Sequence, residues 1–517
     1  SLEAASSETD HTKHPYYLCP SCAPMHCVPL SPVSASDSSF TTRDLSLSGP
    51  SPATNDGSKH SSSTLENNRQ ITNISPHISP PPPAHAYQTL ATLSVRSALD
   101  IYFTASAYPP GSLVLLSAVN IPDMSTVVRA HGLVPVPVDI DLDTCAVPPH
   151  RLRSALQRYG TLRHTPAASG APGRVCCVLV AHIFGRRTDV TALARLCAEW
   201  GVGLVEDAAE ARVDAAYTGN VHAALSLFSF GTIKHGTAFG GGLARVRDPA
   251  IYWRMRALLD AQPQVSDAEY VRKVAKLVPV ACALAQPMAA RAVVCAARLC
   301  RIEYREQAVA LLRGFKHHND LMAALRHRPP HALLLVLARR LRTESDARLW
   351  QGSAVGALCE QALRELRADV GLVGGAAAVR GHWLFPVAVR APEEVYVQLG
   401  VRGVDVYRGA TQLRAVEVPP ELRFAAAGDQ EDEKCCPEPS RARWLMSHVL
   451  YLPVHRWVPQ RDVLRIAGAV AEVTGTRPEG RDAESDWCAL CYEKEDEPTP
   501  GHRGDKIHHK PKLASML

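Results

Sequence analysis

The stretch Gly203–Val246, GLVEDAAEARVDAAYTGNVHAALSLFSFGTIKHGTAFGGGLARV, decides how the rest of the chain is read. It opens on a short apolar run that ends in Glu206-Asp207 and continues through a second run, Leu225–Phe230. It then reaches Lys234 and the cluster Gly240-Gly241-Gly242, and closes on a third run, Gly241–Val246. Upstream, Leu113–Ala118, Val134–Ile140 and Val175–Ala181 are equally short and apolar, separated by helix-like stretches at Asp123–Ala130 and Thr188–Trp200. Strands that are apolar on both faces and alternate with helices imply an α/β fold, with a mainly parallel sheet covered on both sides. In such open sheets ligands sit beyond the carboxyl ends of the strands. Asp207 and Lys234, 27 positions apart, both fall just past such ends, so one cleft can hold both.

The flanks divide the chain further. Residues 1–86 are rich in Ser, Thr, Pro, His and Asn and finish in Ser79-Pro80-Pro81-Pro82-Pro83. With no apolar period to offset ordering entropy, this arm is expected to be disordered. Residues 87–345 read as the large domain, helical from about Tyr252 and rich in Ala, Leu and Arg. Residues 346–476 read as a smaller α+β domain, with strands at His382–Val389 and His448–Pro453 and helices at Glu394–Leu399 and Gln460–Val473. A polar surface insertion is expected at about 427–440, and residues 477–517 read as a charged, disordered tail.

Composition narrows the class. The 517 residues carry a net charge of only +5, with basic residues spread along the chain, which argues against nucleic acid as a partner. Most of the fifteen cysteines stand in apolar segments such as Arg174–Val180 and Val294–Arg301, where they read as small core hydrophobes of a reducing compartment. No charged-then-apolar leader stands at the first residues. The longest apolar stretch, Leu277–Ala290, holds two prolines and is too short to span a bilayer, so a soluble protein is expected. Ala281–Leu299 reads as a core or dimer-interface helix, with a partner-binding helix as the other reading. Cys19/Cys22 and Cys488/Cys491 have the ligand count of a four-cysteine zinc site, but they lie 466 positions apart in polar segments. Surface thiols are the preferred reading and no metal is expected. The cytoplasm is the expected compartment; the alternative is a peroxisome-type organelle addressed by Ser515-Met516-Leu517.

The chemistry follows from residue types. A lysine at a strand end among apolar residues is desolvated, which lowers its pKa and suits it to attack a carbonyl carbon. A carboxylate in the same cleft suits a protonated pyridine nitrogen, and a serine five residues before the lysine, Ser229, suits a phosphate. Solvated lysines at strand ends are nevertheless common, and Glu-Asp after a strand occurs in many α/β proteins.

The segments GLVEDAAEA (203–211) and LFSFGTIK (227–234), followed by the glycine cluster, resemble the DegT/DnrJ/EryC1/StrS family of sugar aminotransferases. Its usual order is Glu-Asp-Ala-Ala-Gln-Ala, then Phe-Ser-Phe-x-x-x-Lys, then Gly-Glu-Gly-Gly. AHIFGRRTDVTA (181–192) and YLPVH (451–455) are similar to two further family segments, and the resemblance runs from about 88 to 475. It implies a pyridoxal-phosphate (PLP) enzyme of transferase fold type I, with a seven-stranded sheet, acting as a homodimer. Residue by residue, it implies that Lys234 binds the cofactor as a Schiff base and later moves the substrate proton. It further implies that Asp207 partners the pyridinium nitrogen, Ser229 the phosphate, and that Ala209 packs on the ring. The implied reaction takes an amino group from an amino-acid donor to a keto acceptor, of sugar or nucleotide-sugar type. Two alternatives are dehydratase-like chemistry, for which the family typically replaces the lysine with histidine, and a catalytically silent binding or scaffold protein.

The chain departs from the family pattern at several points. Val95-Arg96 stands before Ser97-Ala98-Leu99 where Gly-Thr is usual for the phosphate loop, leaving Arg96 either a phosphate contact or solvent-facing, and Ser97 and Glu210 are carried as further cofactor-binding candidates. Asn120-Ile121 falls where an aromatic stacks on the ring. Glu210 replaces Gln or His, Phe239-Gly240 replaces Gly-Glu, and Arg328-Pro329-Pro330 occupies the place expected for an Asn-x-Arg segment.

Overall fold

In the computed structural model the described residues are 87–160, 174–211, 217–234, 236–285, 320–343, 346–409, 413–420, 422 and 438–477, with scattered positions of 286–300. The arm, most of the insertion, the tail, both Cys-x-x-Cys pairs and the C-terminal tripeptide lie outside them. Labels run in chain order. β1 (Gln88–Thr92) leads through α1 (Val95–Ser106) to β2 (Leu113–Ser117), β3 (Val119–Asn120), α2 (Pro122–Ala130), β4 (Val134–Val138) and α3 (Pro149–Gly160). After these come β5 (Val175–Ala181), β6 (Arg186–Arg187), α4 (Thr191–Glu199), β7 (Gly203–Asp207), β8 (Leu225–Ser229) and β9 (Gly242–Val246).

These strands build a seven-stranded sheet in the order β1-β9-β8-β7-β5-β2-β4. Every pairing from β4 to β8 is parallel, and β9 runs antiparallel to both β8 and β1. The near-continuous apolar runs have a direct cause in the pleat. Leu113 and Leu115 of β2, with Val178 and Val180 of β5, enter one core, while Val114, Leu116, Cys177 and Leu179 enter the other. Helices cover both faces, so no strand position can be polar without a partner.

Among the described residues α5 (Pro249–Asp260), α6 (Asp267–Ala285), α7 (Leu321–Leu325) and α8 (His331–Thr343) follow. Within the stretch read as a core or interface helix, the described side chains Met288 and Leu299 are 73% and 85% exposed, so they are not core. Cys295 and Cys300 are exposed, which corrects the reading of the Val294–Arg301 cysteines as small core hydrophobes, and Cys282 upstream is disulfide-bonded. Cys145, Cys177, Cys197 and Cys359 are buried and free.

The last region comprises α9 (Asp346–Glu365), β10 (Gly371–Leu372), β11 (Val379–Arg380), β12 (Phe385–Ala388), α10 (Pro392–Val401) and β13 (Arg414–Ala415). It ends with α11 (Ser440–His448), β14 (Val449–Leu452) and α12 (Gln460–Thr474). Its three-stranded antiparallel sheet, β10-β12-β14, packs on α9, α10 and α12 through Leu363, Phe385, Val387, Leu450 and Ile466. Two short ladders tie it to the large sheet's loops, β11 with β6 and β13 with β3. Behind the first, buried Arg186 donates to Glu360 (3.2 Å) and lies 2.9 Å from His382 Nδ1. Among the described residues no helix is long and apolar enough to cross a membrane.

Candidate active site

The chain crosses from β4 back over β2 to start β5, so the carboxyl ends of β2 and β5 flank a crevice at the topological switch. Ser117 Oγ closes its floor by accepting the amide of Ala181 (3.0 Å). A cleft of about 1100 Å³ opens there and extends to α6 and α7. Asp207, Ala209, Glu210, Ser229, Lys234 and Arg96 all line it.

Lys234 projects from a loop that Phe230 pins at its neck. The Phe230 amide donates to Gly241 O, and its carbonyl accepts from Ala238 and Gly240. The ammonium reaches Glu210 Oε1 at 3.5 Å and lies 3.8 Å from the centre of the Trp383 ring. Burial lowers the Lys234 pKa, against the opposing charges of Glu210 and Asp207. Trp383 also donates its indole N–H to Ile233 O (3.1 Å), one residue before the lysine. The chain at Trp383 approaches so closely that a Cβ on Gly185 would lie 2.5 Å from its amide nitrogen.

Asp207 ends β7 and is 7% exposed. Burial pushes its carboxyl up to about 6, although the Ala209 amide donates to Oδ1 (2.9 Å) and the Lys234 charge opposes the rise. Its neighbour Glu206 points to the other side and is fully buried. Burial would raise it, but the His182 hydrogen bond and charge, with Tyr217 and Asn220, hold it at about 2. His182 Nε2 is 3.0 Å from Glu206 Oε1, and Ser226 Oγ donates to Oε2 (2.9 Å). His182 therefore enters the cleft wall already oriented by a buried carboxylate.

The remaining sequence-predicted residues divide. Ser229 Oγ lies in the cleft wall and accepts the Gly231 amide at 3.4 Å. Ala209 and Glu210 share that wall, Glu210 also accepting the Phe184 amide (3.1 Å). Arg96 lines the cleft with its guanidinium paired to Asp123. Ser97 is fully buried inside the first turn of α1, where its amide donates to the N-cap Ser94 Oγ (3.1 Å); it is absent from the cleft wall. Arg328 is likewise absent, while its neighbours His327 and Pro330 line the cleft. Asn120 is in the wall, buried, its Oδ1 accepting the Ile121 amide. Sequence reasoning missed Trp383 and Lys273. A lone tryptophan in a strand-like run and a lysine on a polar helix carry no local signal of such a role.

An open, mainly parallel sheet thus brings a desolvated lysine and a buried carboxyl to one crevice, the pair that an α/β enzyme handling a carbonyl cofactor would need. Residues 84–322 match the model of the DegT/DnrJ/EryC1/StrS aminotransferase family. The chain is a PLP-dependent transaminase. Solved structures similar to it include DesV of S. venezuelae (21% identity, 75% of this chain and 85% of that chain, TM-score 0.46). TlmJ from Streptoalloteichus hindustanus matches at 18% identity (78% and 86%, TM-score 0.45). NtdA from Bacillus subtilis, solved with bound cofactor PMP, matches at 17% (75% and 74%, TM-score 0.47).

The residues present fit PLP. An amine and a carboxyl of opposite tendency share one cleft, and two buried polar atoms in its wall, Asn120 Nδ2 and Thr232 Oγ1, have no hydrogen-bond partner among the described residues. The volume exceeds what one vitamin-sized ring needs, leaving room for a second ligand.

Proposed function

We propose that the chain moves an amino group from an amino-acid donor to a keto acceptor of sugar or nucleotide-sugar type, working as a homodimer. The observation that carries this reading is that Lys234 and Asp207 line the same cleft. When bound, PLP supplies a ring that takes up negative charge from the substrate carbon. Lys234 would hold it covalently through Nζ, and its burial would keep the amine available as a nucleophile and as a base that moves a proton. Asp207, raised by burial, would hold a proton at the ring nitrogen. Ser229 would donate its hydroxyl to the phosphate, in the cleft wall that also holds the start of α1, where a helix N-terminus favours anions. Ala209 would pack its methyl group on the ring, and Glu210 orients Nζ through the 3.5 Å contact. Room for the acceptor lies toward α6.

The test is the absorbance spectrum of the purified protein with PLP, beside Lys234→Ala. Wild type should show a band near the visible edge that borohydride removes, and glutamate or glutamine should shift it. Retention of the band by Lys234→Ala would remove the lysine from its role. A glutamate-silent spectrum would remove the donor class. Sedimentation or light scattering reports the dimer, and a monomer in the active preparation overturns that part.

A further inference from the structure

Helix α6 brings a second amine to the cleft. It begins with Asp267 and Glu269 in its first turn, as suits the positive end of a helix. Two side chains one helical turn apart then fasten it to the glycine turn after the lysine loop. Tyr270 OH donates to Ala238 O (2.8 Å) and Lys273 Nζ to Phe239 O (2.7 Å).

The turn is built for close approach. Phe239, Gly240 and Gly241 have φ of +58°, +159° and +91°, and a Cβ on Gly240 would lie 3.9 Å from Lys273 Nζ. On its other side, the Gly241 amide donates to Leu93 O, and a Cβ on Gly242 would lie 2.7 Å from the Val95 nitrogen. The turn thus joins the Lys273 amine to the start of α1.

Lys273 has donors to spare. An ammonium carries three N–H groups, and one carbonyl takes one of them. Among the described residues no carboxylate stands within ion-pair distance; Glu269, one turn back in the same wall, acts on it only at longer range. Burial lowers the Lys273 pKa, which records how little solvent compensates its charge. A half-buried cation facing a cleft without a counter-ion is costly unless the ligand brings one.

We propose that Lys273 is an oxyanion anchor, holding a phosphate or carboxylate group that the ligand presents to the glycine-turn side of the cleft. Two sources share that chemistry, the phosphate of the cofactor and an anionic group of the substrate. The inference rests on the reading of the cleft as a PLP site, and its test separates the two.

Lys273→Met and Lys273→Arg are compared with wild type by spectral titration with PLP and with pyridoxal, which lacks the phosphate. Glutamate titration of the loaded enzyme and calorimetry with inorganic phosphate complete the set. Lys273→Met should weaken an oxyanion-bearing ligand about ten- to hundredfold, the range of a charge-assisted hydrogen bond, and Lys273→Arg should recover most of it. Loss confined to PLP, with pyridoxal unchanged, identifies the cofactor phosphate; loss confined to glutamate identifies the substrate anion. Unchanged affinity for PLP, glutamate and inorganic phosphate in a folded Lys273→Met protein overturns the proposal. If wild type binds no PLP, the functional reading fails, and the anchor stands or falls on whether Lys273→Met loses inorganic phosphate.

Discussion

Asp207→Asn should make the cofactor-free protein more stable while destroying its use of PLP. The Asp207 carboxyl is raised from an ordinary 3.8 to about 6. At roughly 1.4 kcal/mol per pH unit, ionising it in the folded protein costs about 3 kcal/mol. The sign follows from the direction of the shift. A raised carboxyl favours the protonated folded state, so that contribution is complete below about pH 4 and is lost as pH rises through about 6. Asparagine has no proton to lose and keeps an oxygen for the Ala209 amide. Urea unfolding of both proteins without cofactor, from pH 4 to 8, should give nearly equal stabilities at the acid end. At pH 7.5 the variant should lead by up to about 3 kcal/mol. Other titrating groups are common to both proteins, so the difference isolates this carboxyl. A variant less stable than wild type at pH 7.5, or a difference that does not change with pH, would refute the argument.

Other perturbations test the supports. Gly185→Ala combines φ +78° with a Cβ 2.5 Å from the Trp383 nitrogen, and should cost about 2–5 kcal/mol in urea unfolding; a loss under about 0.5 would contradict the contact. Glu206 is held at about 2 against an ordinary 4.5, so the stability it confers is present above about pH 4.5 and lost as pH falls toward 2. Glu206→Gln should therefore be destabilised by about 3 kcal/mol at pH 7 and show a flatter acid limb than wild type. Trp383→Leu removes the ring over Lys234 and should weaken PLP binding about 2- to 30-fold in a spectral titration, with Trp383→Phe milder; equal affinities would show that the ring does not position the amine.

The strands of the large sheet were legible because both of their faces are buried, which forces near-continuous apolar runs such as Val175–Ala181. Asp207 and Lys234 were legible because strand ends in an open sheet are where ligands sit. β1, QTLAT, was not. It is a polar-looking edge strand whose place comes from pairing with β9, about 150 residues later. Arg96 and Ser97 looked alike as phosphate candidates because sequence does not show which side chains are already taken. Asp123 engages the first, and the cap of α1 encloses the second. Trp383 was invisible for the same reason, since its partner Lys234 stands 149 positions earlier.

The guanidinium of Arg186, sealed between the two sheets with Glu360 and His382, ties the loop after β5 to the segment that carries Trp383. Deleting Glu360 alone would leave that charge buried and short of its partner, at a cost of about 3–5 kcal/mol. The strain would fall on the residue next to Trp383, so a substitution far from the lysine reaches the ring that sits over it.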